Sequence, residues 1–130
     1  MAPSNERLVE IDANIRIRVL AIQNRNDWTI CRLDGFLDNE NTPRFLDFAR
    51  KILHEGSSVV GLNLSGLSYI SSTGVGAFSS LTLESRGTGK FFFLTGIPDR
   101  IAKVLNLLGV SDLFSTVEDS ETYSFEKHLL

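Results

Sequence analysis

Ser71, Ser72, Thr73 and Gly74 set three hydroxyls in a row after an apolar run and before Val75, Phe78 and Leu81, which recur at helical spacing. Hydroxyls at such a junction accept hydrogen bonds from the unpaired N–H groups of a first helical turn. That turn also carries positive partial charge, so a phosphate placed on one of its hydroxyls is electrostatically tolerated. A helix is expected to begin near Ser72. The plain structural role open to Ser72 is that of an N-cap, a contribution of about 1 kcal/mol.

Other chemistries fail on spacing. Gly87-Thr88-Gly89-Lys90 suggests a phosphate loop, but that motif needs glycine where Glu84 stands and Ser or Thr where Phe91 stands. Gly74-Val75-Gly76 lacks the third glycine of a dinucleotide fingerprint, since Ser79 occupies its place, and close helix packing accounts for the pair instead. A nucleophile elbow needs glycines on both sides of its serine, and Ser72 has Ile70 on one side and Gly74 on the other. His54 and His128 have no partner at ligand or triad spacing, so no metal site and no cofactor are expected. Asp34 and Asp38 flank a Gly-Phe-Leu turn and matter only if that turn lies beside Ser72. Cys31 cannot form an internal disulfide and reads as a buried thiol. The chain is expected not to be an enzyme.

The elements that must position these residues follow from periodicity. Ile15 to Leu20 alternates apolar and basic, which predicts a strand with one wet face at a sheet edge. Asn24 to Asp27 supplies a turn, and Trp28 to Leu33 a second strand stopped by Asp34-Gly35. Phe45, Phe48, Ala49, Ile52 and Leu53 share one helical face between a cap at Asn41 or Thr42 and a stop at Gly56. Val59 to Leu64 is an inner strand, broken by Ser65-Gly66. The Ser72 helix reaches about Arg86, and Lys90 to Leu94 is another buried strand. Pro98 opens a helix carrying Ile101, Val104, Leu105 and Leu108 and ending at Gly109. Phe114 to Val117 is a short strand, and Asp119 or Ser120 caps a terminal helix reaching Leu129. The sum is an α/β fold: a mostly parallel sheet after an antiparallel hairpin, with four helices.

Composition bounds the partners. The 130 residues are 42% hydrophobic and fit one domain, with a core over about 15–125. Thirteen basic residues against sixteen acidic ones, without a basic block, exclude the electrostatic footprint of a nucleic-acid binder. Met1 to Glu10 lacks the apolar core of a signal peptide, and no stretch approaches a membrane span, so a cytoplasmic protein with no membrane insertion is expected.

The segments LDGFLDNENTPRFLDFARKILHEG, VVGLNLSGLSYISSTGVGAF and GKFFFLTGIPDRIAKVLNLLGVSDLF, with the closing EDSETY, together resemble the STAS domain of bacterial anti-sigma factor antagonists, over about Ile15 to Phe125. The most specific part is the hydroxyl-rich turn before a Gly-x-Gly helix start. The resemblance implies a STAS fold and a partner switch. In that family the serine two residues before the first helix glycine is phosphorylated by a partner that is both anti-sigma factor and serine kinase, with an ATP-binding fold like that of histidine kinases. Here that serine is Ser72, with Ser71 and Thr73 as alternative acceptors. The unmodified antagonist binds the anti-sigma factor and frees the sigma factor, the phosphorylated form lets go, and a serine phosphatase resets the switch. The implied partner surface is Asp34, Gly35, Asp38, Ser71, Ser72, Thr73, Gly74 and Val75. Many phosphorylated members carry aspartate where this chain has Ser71, and an acid in the preceding strand where it has Asn63. The alternative is a scaffold subunit of a signalling assembly, or an accessory of a transport complex, using the same fold without a serine switch.

Overall fold

The computed structural model describes residues 6–21 and 27–117. Six strands form one sheet in the order in which they occur in the chain. They are β1 (Arg7–Asp12), β2 (Ile15–Ala21), β3 (Trp28–Leu37), β4 (Val59–Ile70), β5 (Phe91–Thr95) and β6 (Thr116–Val117). The helices are α1 (Thr42–His54), α2 (Ser72–Gly87) and α3 (Asp99–Leu107), followed by a short 3-10 turn at Ser111–Leu113. β1–β2 and β2–β3 pair antiparallel, and the three pairings from β3 to β6 are parallel. The expected fold class therefore holds, as a mixed sheet. Three helices lie among the described residues; the expected terminal helix, His128 and the turn at 24–26 lie outside them.

Right-handed crossovers that always step the same way across a sheet put every helix on one face. Accordingly all three helices share one core with the inward positions of the sheet: Ile15, Ile17 and Val19, then Cys31 and Leu33, then Val60, Leu62 and Leu64, then Phe92 and Leu94. Within this layer Phe45 of α1 meets Phe78 of α2 edge to face, with ring centroids 6.0 Å apart. On the opposite face Ile30 and Phe93 form a second, smaller cluster with Leu20, Trp28, Val59 and Val117. Gly61 makes room for it, because a Cβ there would lie 2.4 Å from Phe93 Cζ.

Three sequence expectations are corrected. β2 is not an edge strand: β1, unforeseen, pairs along it from Arg7↔Val19 to Asp12↔Ile15, and Ile15, Ile17 and Val19 face the core. β3 does not stop at Leu33 but continues through Asp34 and Gly35 to Leu37, so these two residues lie in a strand rather than a turn. β4 is not broken at Ser65-Gly66 but runs on to Ile70. The disturbance appears as a register irregularity opposite Arg32 and Asp34, where a Cβ on Gly66 would fall 2.0 Å from Asp34 Oδ1.

Candidate functional site at the start of α2

The extension of β4 carries the chain past the end of the sheet's regular pairing. Leu67 and Ile70 are buried there while Ser68 and Tyr69 are exposed, Tyr69 by 53%. At the last residue before α2 the Ser71 N–H donates to the Leu37 carbonyl at 2.9 Å, joining the ends of β3 and β4. Ser71 is extended, with φ −81° and ψ 168°, and its Oγ accepts from the Gly74 N–H at 3.1 Å. Its carbonyl accepts the Val75 N–H at 3.0 Å, the first intrahelical bond. The helix begins at Ser72 as its spacing predicts, with Ser71 rather than Ser72 as the N-cap, and the Ser71 side chain is buried and occupied.

Ser72 and Thr73 follow as the first two helical residues, and both are exposed. Their N–H groups precede the first intrahelical donor, Val75 N–H, and sit at the positive end of the α2 dipole. Gly74 and Val75 are buried beneath the turn. A Cβ on Gly74 would come 2.7 Å from Ile70 Cγ1 and 3.3 Å from Leu37 Cβ, so this glycine lets α2 seat on the strand ends. Gly76 does not share that role: a Cβ there would meet nothing within 4 Å. Close packing explains the first glycine of the pair only.

The loop from β3 to α1 lies beside this turn through the Ser71–Leu37 bond. Its Asp38 carboxylate accepts the N–H groups of Glu40 and Asn41, each at 2.9 Å. Asn41 returns the contact, its Oδ1 accepting Asp38 N–H at 2.9 Å and its Nδ2 donating to Phe36 O at 3.0 Å. Asp38 is therefore a rigid neighbour of the Ser72 turn, with its charge spent on the start of α1. Asp34 is not brought there. It sits three residues back along β3, about 10 Å by strand rise, and its Oδ1 accepts from Arg32 Nε at 3.2 Å on the face away from the helices. Gly35 has φ 126° and a Cβ there would overlap Asn14 O, while its own carbonyl accepts from Ser68 Oγ at 3.0 Å. Asp34 and Gly35 brace the β3–β4 ladder.

Periodicity of the apolar residues in α2 did not single out its outward side. Ser72, Gly76, Ser79 and Leu83 fall at i, i+4, i+7 and i+11, a single line along the helix. Ser72 and Gly76 are exposed, Ser79 is half-buried, and Leu83 is 58% exposed. The signal was available: Leu83 lies off the stripe set by Val75, Phe78 and Leu81. Arg100, in the first turn of α3, was also missed, and its Nη1 donates to Ser68 O at 3.4 Å.

Elsewhere the described residues contain no cluster of His, Cys, Asp and Glu able to hold a metal, and no helix among them is long and apolar enough to cross a membrane. Burial pushes the Cys31 thiol up to about 12, against a smaller opposing pull from Arg7, so the neutral thiol is the form held at neutral pH. His54 faces Glu84 of α2 at 3.4 Å.

The STAS domain family profile matches residues 19–123. An anti-sigma-B factor antagonist of Staphylococcus epidermidis is 27% identical over 96 residues, covering 74% of this chain and 89% of that protein. Among solved structures, the anti-sigma factor antagonist SpoIIAA in its unphosphorylated form superposes with a TM-score of 0.64 at 17% identity, covering 96% of this chain and 98% of that one. The Bacillus cell fate determinant SpoIIAA in its phosphorylated form gives 0.59 at 18% identity, covering 92% and 96%. The chain belongs to the STAS domain family.

Proposed function

We propose that this STAS domain protein is an anti-sigma factor antagonist, a binding protein rather than an enzyme, that works by partner switching in the cytoplasm. Its unmodified form binds an anti-sigma factor that is also a serine kinase of the ATP-binding, histidine-kinase-like fold, and so releases the sigma factor. Phosphorylation of Ser72 ends the binding, and a serine phosphatase restores it. The family membership and the anti-sigma-B antagonist relative support the binding activity. The observation that carries the switch is the division of labour between adjacent hydroxyls: Ser71 is buried and bonded to Gly74 N–H, whereas Ser72 is exposed at the first helical position. A kinase can reach Ser72 without dismantling the cap.

The partner surface in this reading centres on Ser72 and Thr73 and continues to Asp38. Ser71, Gly74 and Val75 shape it from below, and Asp34 and Gly35 hold the strand ends that carry it. A phosphate brings about −1.5 to −2 charges onto a surface that must shed water on binding. If that costs ~2–4 kcal/mol, affinity falls roughly 30- to 1000-fold. No unfolding is needed, because the added charge sits at the positive end of α2.

The test is intact-mass analysis of wild type, Ser71→Ala, Ser72→Ala and Thr73→Ala after incubation with magnesium-ATP and lysate of the source cells. One phosphate on all forms except Ser72→Ala is the expected result. A phosphate retained by Ser72→Ala, or none on any form while a control substrate in the same lysate is labelled, overturns the assignment. Ser72→Asp that binds partners as wild type does would indicate an unswitched scaffold.

A further inference from the structure

Arg100 stands in an unusual electrostatic position. It occupies the first turn of α3, where the helix end is positive and a cation is disfavoured. No carboxylate of the described residues pairs with it; its Nη1 reaches Ser68 O at 3.4 Å, a long bond from an exposed side chain. The two aspartates at the end of β3 and just after it are engaged elsewhere, Asp38 with the Glu40 and Asn41 amides and Asp34 with Arg32. Asn63 and Ser71, both neutral, accept local N–H groups from Ser65 and Gly74. Asp38 and Asp34 are thus already engaged, while a weakly held guanidinium rests on the carbonyl of Ser68, four residues before Ser72 in the chain. Four residues span at most about 14 Å, and a phosphoserine and an arginine each reach several ångströms across such a gap.

We propose that Arg100 is the charge partner of a phosphate on Ser72: on phosphorylation its guanidinium leaves the Ser68 carbonyl and pairs with the phosphate oxygens. The proposal rests on the reading of Ser72 as the phosphoacceptor. The pairing ties the start of α3 to the start of α2, so modification changes the surface of both helices rather than one hydroxyl. A planar guanidinium suits the task, since it binds phosphate through two parallel hydrogen bonds where an ammonium offers a point charge. Asp99 beside it and Lys103 one turn on are the other charges of that end of α3.

The test installs phosphoserine at position 72 during translation, so it does not depend on any kinase. The second ionisation of the phosphate is then followed by phosphorus NMR in the otherwise unaltered chain, in Arg100→Ala, in Arg100→Lys and in Lys103→Ala. Pairing predicts that Arg100→Ala raises this pKa by about 0.3–0.7 unit, a two- to five-fold change in proton affinity, and that the difference shrinks in high salt. Arg100→Lys falls between, and Lys103→Ala leaves the value unchanged. Equal values with and without Arg100, or a shift on Lys103→Ala alone, overturn the pairing. Failure of lysate to phosphorylate Ser72 would overturn the functional reading and leave this result standing on its own.

Discussion

The Ser71 N–H donates to the Leu37 carbonyl at 2.9 Å, and this bond fixes where α2 begins. It holds Ser71 extended at the end of β3, leaves its Oγ free to turn inward to Gly74 N–H, and delivers Ser72 to the first helical position with its side chain outward. Two adjacent serines thus receive different work from one backbone contact.

Ser71→Ala removes the cap and lowers the unfolding free energy by about 1 kcal/mol, whereas Ser72→Ala stays within a few tenths of wild type. Urea denaturation of the two variants checks this. Equal losses would mean that the cap is not assigned to Ser71.

Gly74→Ala and Gly76→Ala should move stability in opposite directions. A methyl on Gly74 meets Ile70 and Leu37, so α2 must shift outward at a cost of about 1–3 kcal/mol. A methyl on Gly76 meets nothing, and replacing a helical glycine by alanine stabilises by about 0.5–1 kcal/mol. Thermal unfolding separates the two. If the outward line of Ser72, Gly76 and Leu83 faces the partner, Gly76→Ala weakens binding while raising the melting temperature.

Gly61→Ala drives a Cβ into the Phe93 ring and costs about 1–3 kcal/mol. Because the three atoms nearest that Cβ all belong to the Phe93 ring, the double variant Gly61→Ala, Phe93→Leu loses less than the sum of the two single losses. A double-mutant cycle by chemical denaturation shows the coupling; strict additivity would remove the ring as the cause.

Cys31 gives a pH dependence of known sign. Burial raises its folded-state pKa from 9.0 to about 12. The folded protein therefore holds this proton more tightly than the unfolded chain does. The contribution is complete below pH 9 and is lost as pH rises from 9 toward 12, at a limiting slope of about 1.4 kcal/mol per pH unit. The stability difference between wild type and Cys31→Ala should shrink through that window, and the native thiol should resist a thiol reagent at pH 8 until the protein unfolds. Rapid reaction of the folded protein would place Cys31 at the surface.

Much of the fold was readable because it rests on local pattern. The faces of α1 and α3 follow from Phe45, Ala49, Ile52 and Leu53 and from Ile101 and Leu105, all buried as their spacing requires. Gly109 ends α3 with φ 72°, a conformation glycine adopts without strain. β1 was not readable, since Leu8, Val9 and Ile11 with Glu10 between them have no clean period, and the segment becomes a strand only by pairing along β2. Ser65-Gly66 and Asp34-Gly35 carry turn chemistry, yet both lie within strands, Asp34 pairing with Gly66 where the ladder shifts register and Gly66 makes space for the aspartate.

The sequence by itself determined that a row of hydroxyls meets the start of a helix at the end of a buried strand, because hydrophobic period and capping chemistry are properties of neighbouring residues. Tertiary structure alone decided which hydroxyl is spent and which is offered, and which acids stand beside it. The Leu37 carbonyl assigns the cap to Ser71, the ladder with β4 keeps Asp34 within β3, and α3 sets Arg100 against the Ser68 carbonyl. These are contacts between residues up to 34 positions apart, made by strand pairing and crossover packing, and no local pattern encodes them.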